Sequence, residues 1–267
     1  MRDKNIDSVK GVLITLVVLG HVIEPYISNP VARWVYVFIY SFHMPAFIFL
    51  AGMFSGHGWG KCNASALKFI GLLLVFSVIY EGIVVISNGR VSDYARNLAP
   101  YWILWFLLSL AFWRWMTPLL LRLRWPVTSS LAISICALGL FDIGLPLSLA
   151  RTFSFLPFYV LGLVYGRPII HFIRANNRAL ALGFVGLVVA FMLSQTISLP
   201  ILYGSYSFER MGLNLAIGTG YRMYAYVVCT IAMLSAIAVS LQTDRLSGIG
   251  IRSLQIYLFH GLVVGIL

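Results

Sequence analysis

The chain is short of charge, and of negative charge most of all: 8 of its 267 residues are Asp or Glu, and charged residues of both signs make up 10%. Soluble domains usually carry about 25% charged residues, so the shortage excludes an ordinary water-exposed surface. Cysteine is scarce too. Cys62, Cys136 and Cys229 have neither the density of a disulfide framework nor metal-ligand spacing, so neither a stapled scaffold nor a metal centre is expected. No internal repeat and no low-complexity tract stands out. A cleavable signal peptide is not expected either, because the first apolar segment runs on without a small-residue cleavage site.

What is present is apolar: 60% hydrophobic residues and a mean hydropathy of +0.91. A polytopic membrane protein follows, read as a single domain over residues 1–267. The net charge of +11 does not point to nucleic acid. Its basic residues stand singly or in pairs between apolar runs, as cationic loops facing anionic membrane lipids do.

A span needs about 20 mostly apolar residues. By that measure helices are expected at 8–28, 34–55, 67–87, 101–118, 127–143, 151–166, 179–199, 216–240 and 253 to the end. The fold class is all-α, a transmembrane helix bundle of about nine to ten spans. With the amino terminus inside, thirteen of the 19 Lys and Arg residues fall on cytoplasmic segments and six outside. That asymmetry assigns the amino terminus to the cytoplasm. The last segment, "SLQIYLFHGLVVGIL", stops while still apolar. Either the chain is a fragment lacking a tenth helix, or its tail ends inside or just beyond the membrane.

Against this background the stretch "VVLGHVIEPY", residues 17–26, is out of place. A charged side chain at the bilayer centre costs at least roughly 2.5 to 3.5 kcal/mol, so such residues tend to face an interior or a cavity. On a helix, Lys10 and His21 lie about 20° apart around the axis and about 16 Å apart along it. Asp7 falls about 40° from His21, and Glu24 lies on the adjoining turn. A polar stripe therefore runs through an apolar helix. A lone histidine there would be read as packing glue between helices; a carboxylate one turn away favours a functional site.

The second span holds His43 two residues before Pro45, a proline that kinks a helix and frees carbonyls. His43 is expected at a depth similar to that of His21, which suggests one site. Gly52 and Gly56 have the spacing that lets helices approach closely. Glu81 in the third span reads equally well as packing partner or functional group. Arg114 lies toward the inner end of the fourth span, and "LRLRWP" follows with Arg122 and Arg124. Two arginines one residue apart can fork onto phosphates, although inside loops are basic for topological reasons as well. His171 belongs to a solvated face. His57 and His260 have no partner at metal-ligand spacing, and no metal site is expected.

These residues resemble acyltransferase family 3, the integral membrane O-acyltransferases, and within it the fucose 4-O-acetylase-like branch. The resemblance rests on "DSVKGVLITLVVLGHVIEP", "IYSFHMPAFIFLAGMFSG", "WFLLSL", "LPFYVLG" and "IRSLQIYLFH", in family order across essentially the whole chain. The family's basic residue followed after ten residues by histidine is met by Lys10 and His21, and its arginine-x-arginine feature by Arg122 and Arg124. The resemblance implies a ten-helix membrane domain in the bacterial inner membrane. It implies transfer of an acyl group, usually acetyl, from cytoplasmic acetyl-CoA to a hydroxyl of a cell-envelope carbohydrate or lipid-linked glycan.

With that chemistry, His21 is the expected general base, oriented by Glu24 or Asp7. His43 would donate to the developing oxyanion or bind the acceptor. Arg122, Arg124, Arg114 and Lys10 would hold the coenzyme's phosphates. The competing class is a transporter or flippase for a cell-envelope intermediate, in which the same ionisable groups form a proton relay. No two-fold repeat of hydropathy supports it. A sensor or assembly factor would leave the polar stripe unexplained.

Overall fold

The computed structural model describes residues 3–141 and 146–264, and every regular element among them is helical. Twelve α-helices follow in chain order: α1 Lys4–Ile23, α2 Pro30–Met53, α3 Trp59–Asn88, α4 Asp93–Arg96, α5 Trp105–Leu120, α6 Pro126–Leu140, α7 Leu149–Ala175, α8 Ala179–Ser194, α9 Leu199–Tyr203, α10 Leu215–Ser240, α11 Ser247–Ile251 and α12 Ser253–Val264. Residues 142–143 of the fifth expected span and the last three residues of the ninth lie outside the described residues.

Local chemistry sets several boundaries. The Asp3 side chain accepts from the Ile6 N–H and caps α1. At the other end Pro25 has no N–H to return to the His21 carbonyl, so α1 stops at Ile23 and tightens into a 3₁₀ turn, Glu24–Tyr26. The helix expected to run to residue 28 is therefore shorter. Gly89, at φ +67, ends α3 with its N–H on the Val85 carbonyl. Helix α2 runs on through Pro45.

Among the described residues six helical segments are long and apolar enough to cross a membrane: Lys4–Tyr26, Pro30–Met53, Trp59–Asn88, Trp102–Leu120, Pro146–Ala175 and Leu215–Ser240. Each of the nine expected segments meets a helix, but Pro126–Leu140, Ala179–Ser194 and Ser253–Val264 are shorter. At 1.5 Å per residue, 16 residues reach about 24 Å, against a hydrocarbon core of about 30 Å. The exposed faces are apolar: Val78 and Ile86 on α3 are 74% and 86% exposed, and Val188 and Met192 on α8 are 64% and 66%. Lipid tails, as apolar as leucine, suit such faces.

The chain forms two compact units. The first comprises Met1–Leu50, Tyr165–Leu202 and Arg222–Leu267. In it α1 packs along α11 and α12. The approach is so close that a Cβ at Gly250 would fall on the Asp7 carbonyl, and one at Gly11 on the Leu246 carbonyl. The second comprises Ala51–Val164 and Tyr203–Tyr221. There Gly52 lets α2 touch the Tyr159 carbonyl of α7, while Gly56 lies past the end of α2. Fully buried Trp113 stacks on Tyr159 at 5.4 Å and donates from Nε1 to the Thr152 carbonyl at 3.0 Å. The Tyr159 hydroxyl lies 2.7 Å from Thr117 Oγ1 and 2.9 Å from Ser55 Oγ, so three hydroxyls satisfy one another in the interior.

Candidate active site

Three elements of the first unit converge on one imidazole. His21, near the end of α1, has its Nδ1 3.1 Å from Oε2 of Glu24, three residues on. A carboxylate only accepts, so Nδ1–H is the donor and Nε2 is left as the ring's basic nitrogen. The His21 side chain is 14% exposed and that of Glu24 38%, which places the ring inside and its partner at the rim.

From α2 comes a ladder of rings at i, i+4 and i+7. Tyr36 stacks on Tyr40 at 4.1 Å, and Tyr40 meets the His43 ring at 4.7 Å and 73°. Tyr40 also packs edge-on to His21, centroids 6.3 Å apart, with its hydroxyl 3.5 Å from Nδ1. Both imidazoles expected at one level thus touch the same tyrosine. His43 is 2% exposed, and its Nδ1–H donates to the Ile39 carbonyl at 2.7 Å.

The third element is α12. His260 stacks on His21, centroids 5.4 Å apart and planes 30° from parallel. Its Nδ1–H donates to the carbonyls of Tyr257 at 2.8 Å and Ile256 at 3.2 Å, while its Nε2 is buried without a hydrogen-bond partner. Sequence reasoning passed over this residue, because it sought metal-ligand spacing and the partner lies at the other end of the chain. The signal that singled out His21, an imidazole inside an apolar helix, was equally present in "IYLFHG".

Asp7, the other carboxylate considered for orienting His21, sits 3.2 Å from Lys10 Nζ, its side chain 4% exposed. Fourteen residues of helix put it about 21 Å from His21 along the axis. Glu24 is the carboxylate that meets the ring.

The three arginines expected to hold the coenzyme belong to the second unit. Arg122 and Arg124 are exposed between α5 and α6, with Arg124 5.6 Å from the Trp125 ring centre. Arg114 is 7% exposed within α5, and its Nε has no partner. Free guanidinium donors of this kind fit an anionic ligand. Glu81 is half-buried, accepts from the Ser92 N–H at 3.1 Å and is bonded to the Ser92 hydroxyl. Its contacts tie α3 to the start of α4. His57 and His171 are exposed. Among the described residues no group of three or more His, Cys, Asp or Glu converges to hold a metal.

A family model described as "Acyltransferase domain" matches residues 3–267. Two curated relatives are similar to the chain. Nodulation protein NolL of Mesorhizobium japonicum is 28% identical over 189 residues, covering 63% of this chain and 49% of that protein. Nodulation protein NolL of Sinorhizobium fredii is 32% identical over 126 residues, covering 40% and 34%. The match spans about half the length of the first and a third of the second. No solved structure matches.

Proposed function

This chain belongs to acyltransferase family 3, and from that premise we propose that it moves an acetyl group from cytoplasmic acetyl-CoA to a hydroxyl of a cell-envelope carbohydrate or lipid-linked glycan. We place it in the bacterial inner membrane with a cytoplasmic amino terminus. His21 is the general base. A neutral sugar hydroxyl is a poor nucleophile, and Nε2 takes its proton as the oxygen attacks the thioester carbonyl. The oxygen–acyl bond forms, the carbon–sulfur bond breaks, and the proton passes to the departing thiolate.

Glu24 holds the tautomer and stabilises the imidazolium that forms, as a carboxylate does in other acyl-transfer sites. His260 presents a ring face to the same imidazole and supports its cationic form. His43 binds the acceptor or the oxyanion. Lys10, in the same unit as His21, is a contact for the donor's phosphates, and Arg114, Arg122 and Arg124 are the anion-binding groups that the second unit offers by itself. Asp7 neutralises Lys10.

The observation that supports this reading most is the His21–Glu24 pair at 3.1 Å, backed by the stacked His260. Transfer of labelled acetyl from acetyl-CoA in membranes tests it. His21→Ala is expected to lose between roughly 10²- and 10⁴-fold in rate; full activity in that variant would falsify the base assignment.

A further inference from the structure

Inside the first unit, α10 carries a guanidinium that the acyl transfer proposed above does not employ. Arg222 is 3% exposed, within a helix long and apolar enough to cross a membrane. Its Nη1 donates to the Ile201 carbonyl at 2.7 Å, and its Cζ lies 6.0 Å from the centre of the Tyr226 ring. Its Nε and Nη2 are buried with no hydrogen-bond partner. No carboxylate among the described residues pairs with it.

A residue serving only to glue helices would spend its donors on carbonyls, as Nη1 does. The two unspent nitrogens are a particular pair. Nε–H and the neighbouring Nη2–H project side by side from one edge of the guanidinium, the edge that accepts both oxygens of a carboxylate or phosphate. The Ile201 carbonyl holds the opposite side of the fork, and Tyr226 covers its face. A buried cation whose bidentate edge has no hydrogen-bond partner is costly unless an anion meets it.

We propose that Arg222 binds one phosphate or carboxylate group through Nε and Nη2. Close by, Tyr224 bonds Thr196 at 2.8 Å, and Gln195 donates to the Trp34 carbonyl at 3.2 Å. Arg222 therefore sits at the end of its unit that carries the α1–α2 turn. In the orientation proposed above, that end is extracytoplasmic. The anion then comes either from a phospholipid headgroup or from a glycan bearing phosphate or carboxylate.

The full chain, purified in detergent and stripped of lipid, can be unfolded thermally under tryptophan fluorescence. Inorganic phosphate is expected to raise the midpoint saturably by several degrees over chloride at equal ionic strength. Arg222→Gln should abolish the rise, and Arg222→Lys, which keeps the charge but not the fork, should leave part of it. Glucose 1-phosphate and micellar phosphatidylglycerol separate the sources. Stabilisation by the first alone assigns a glycan-borne anion, by the second alone a lipid headgroup. A native chain indifferent to all three phosphates overturns the site, as does Arg222→Gln responding like the native chain. Should Arg222→Gln fail to fold, a full native response from Arg222→Lys overturns it. The readout is binding, so its failure leaves the acyl-transfer reading standing, and inactivity of His21→Ala leaves the anion site standing.

Discussion

The two units are polar inside in different ways. The first gathers groups that change charge or carry it: Asp7 against Lys10, Glu24 against His21, His43, His260 and Arg222. The second is held mainly by neutral groups. Its interior hydroxyls Ser55, Thr117 and Tyr159 bond one another, Ser109 bonds Thr152, and the Trp113 indole finds a carbonyl. Neutral donors and acceptors that satisfy each other inside a membrane protein contribute modestly and do nothing further. Ionisable groups there are costly, and they repay that cost only through chemistry or binding. On the function proposed above, the reacting groups lie in the first unit, and the second offers a mostly neutral interior around the buried Arg114.

Glu24→Gln strikes the contrast hardest after His21→Ala. The amide still meets the ring but no longer stabilises an imidazolium, so turnover of labelled acetyl should fall on the order of 10²-fold. Circular dichroism should be unchanged. A Glu24→Gln chain as active as the native one would remove the pair from the mechanism.

His260 comes next. Losing the ring in His260→Ala is expected to cost about 1 to 2 kcal/mol of support for the imidazolium, or roughly tenfold in kcat. His260→Phe restores an aromatic face and should recover to within about threefold, with KM for acetyl-CoA unmoved in both. Equal damage from Phe and Ala would mean that a ring nitrogen, not the face, matters.

In the second unit the loss should fall on stability instead of turnover. Tyr159→Phe leaves Ser55 and Thr117 short of a partner and is expected to cost about 1 to 2 kcal/mol of stability, lowering the thermal midpoint by about 3 to 6 °C. Its kcat should stay within about twofold. If turnover collapsed while the midpoint held, the division between the units would fail.

The smallest effect concerns the start of α1. Partial burial pushes the Asp3 carboxyl up, but hydrogen bonds from Arg174, at 2.7 and 2.8 Å, and from the Ile6 N–H outweigh it and hold the group below its ordinary value. A lowered carboxyl stabilises the fold above its unfolded value of 3.8 and loses that contribution as pH falls through the folded one. The pair is exposed, worth at most about 1 kcal/mol. Asp3→Asn should melt a degree or two below the native chain at pH 6, and the gap should close near pH 3.

Much of the site was legible because much of it is local. His21 and Glu24 are three residues apart, one turn, so their meeting follows from helical geometry alone. The pairing of Asp7 with Lys10 is legible for the same reason, and axial rise alone would have removed Asp7 from the base. Tyr36, Tyr40 and His43 share a face of α2 by spacing, yet nothing in that spacing says which helix the face meets. His260 was illegible as a partner because its contact depends on α12 packing against α1. Arg222 lies within α10 with two of its three guanidinium nitrogens unpaired, which only a full account of neighbouring carbonyls reveals.

From its residues alone the chain determined that it is helical and membrane-borne, where its apolar segments lie, and that one helix carries a histidine beside a carboxylate. Those properties depend on composition and on spacings within a few turns. Tertiary packing decided which rings surround His21 and that the Nε and Nη2 edge of Arg222 is left unpaired. Each of those depends on groups distant in sequence competing for the same buried volume and the same hydrogen-bond partners, and no local pattern encodes that competition.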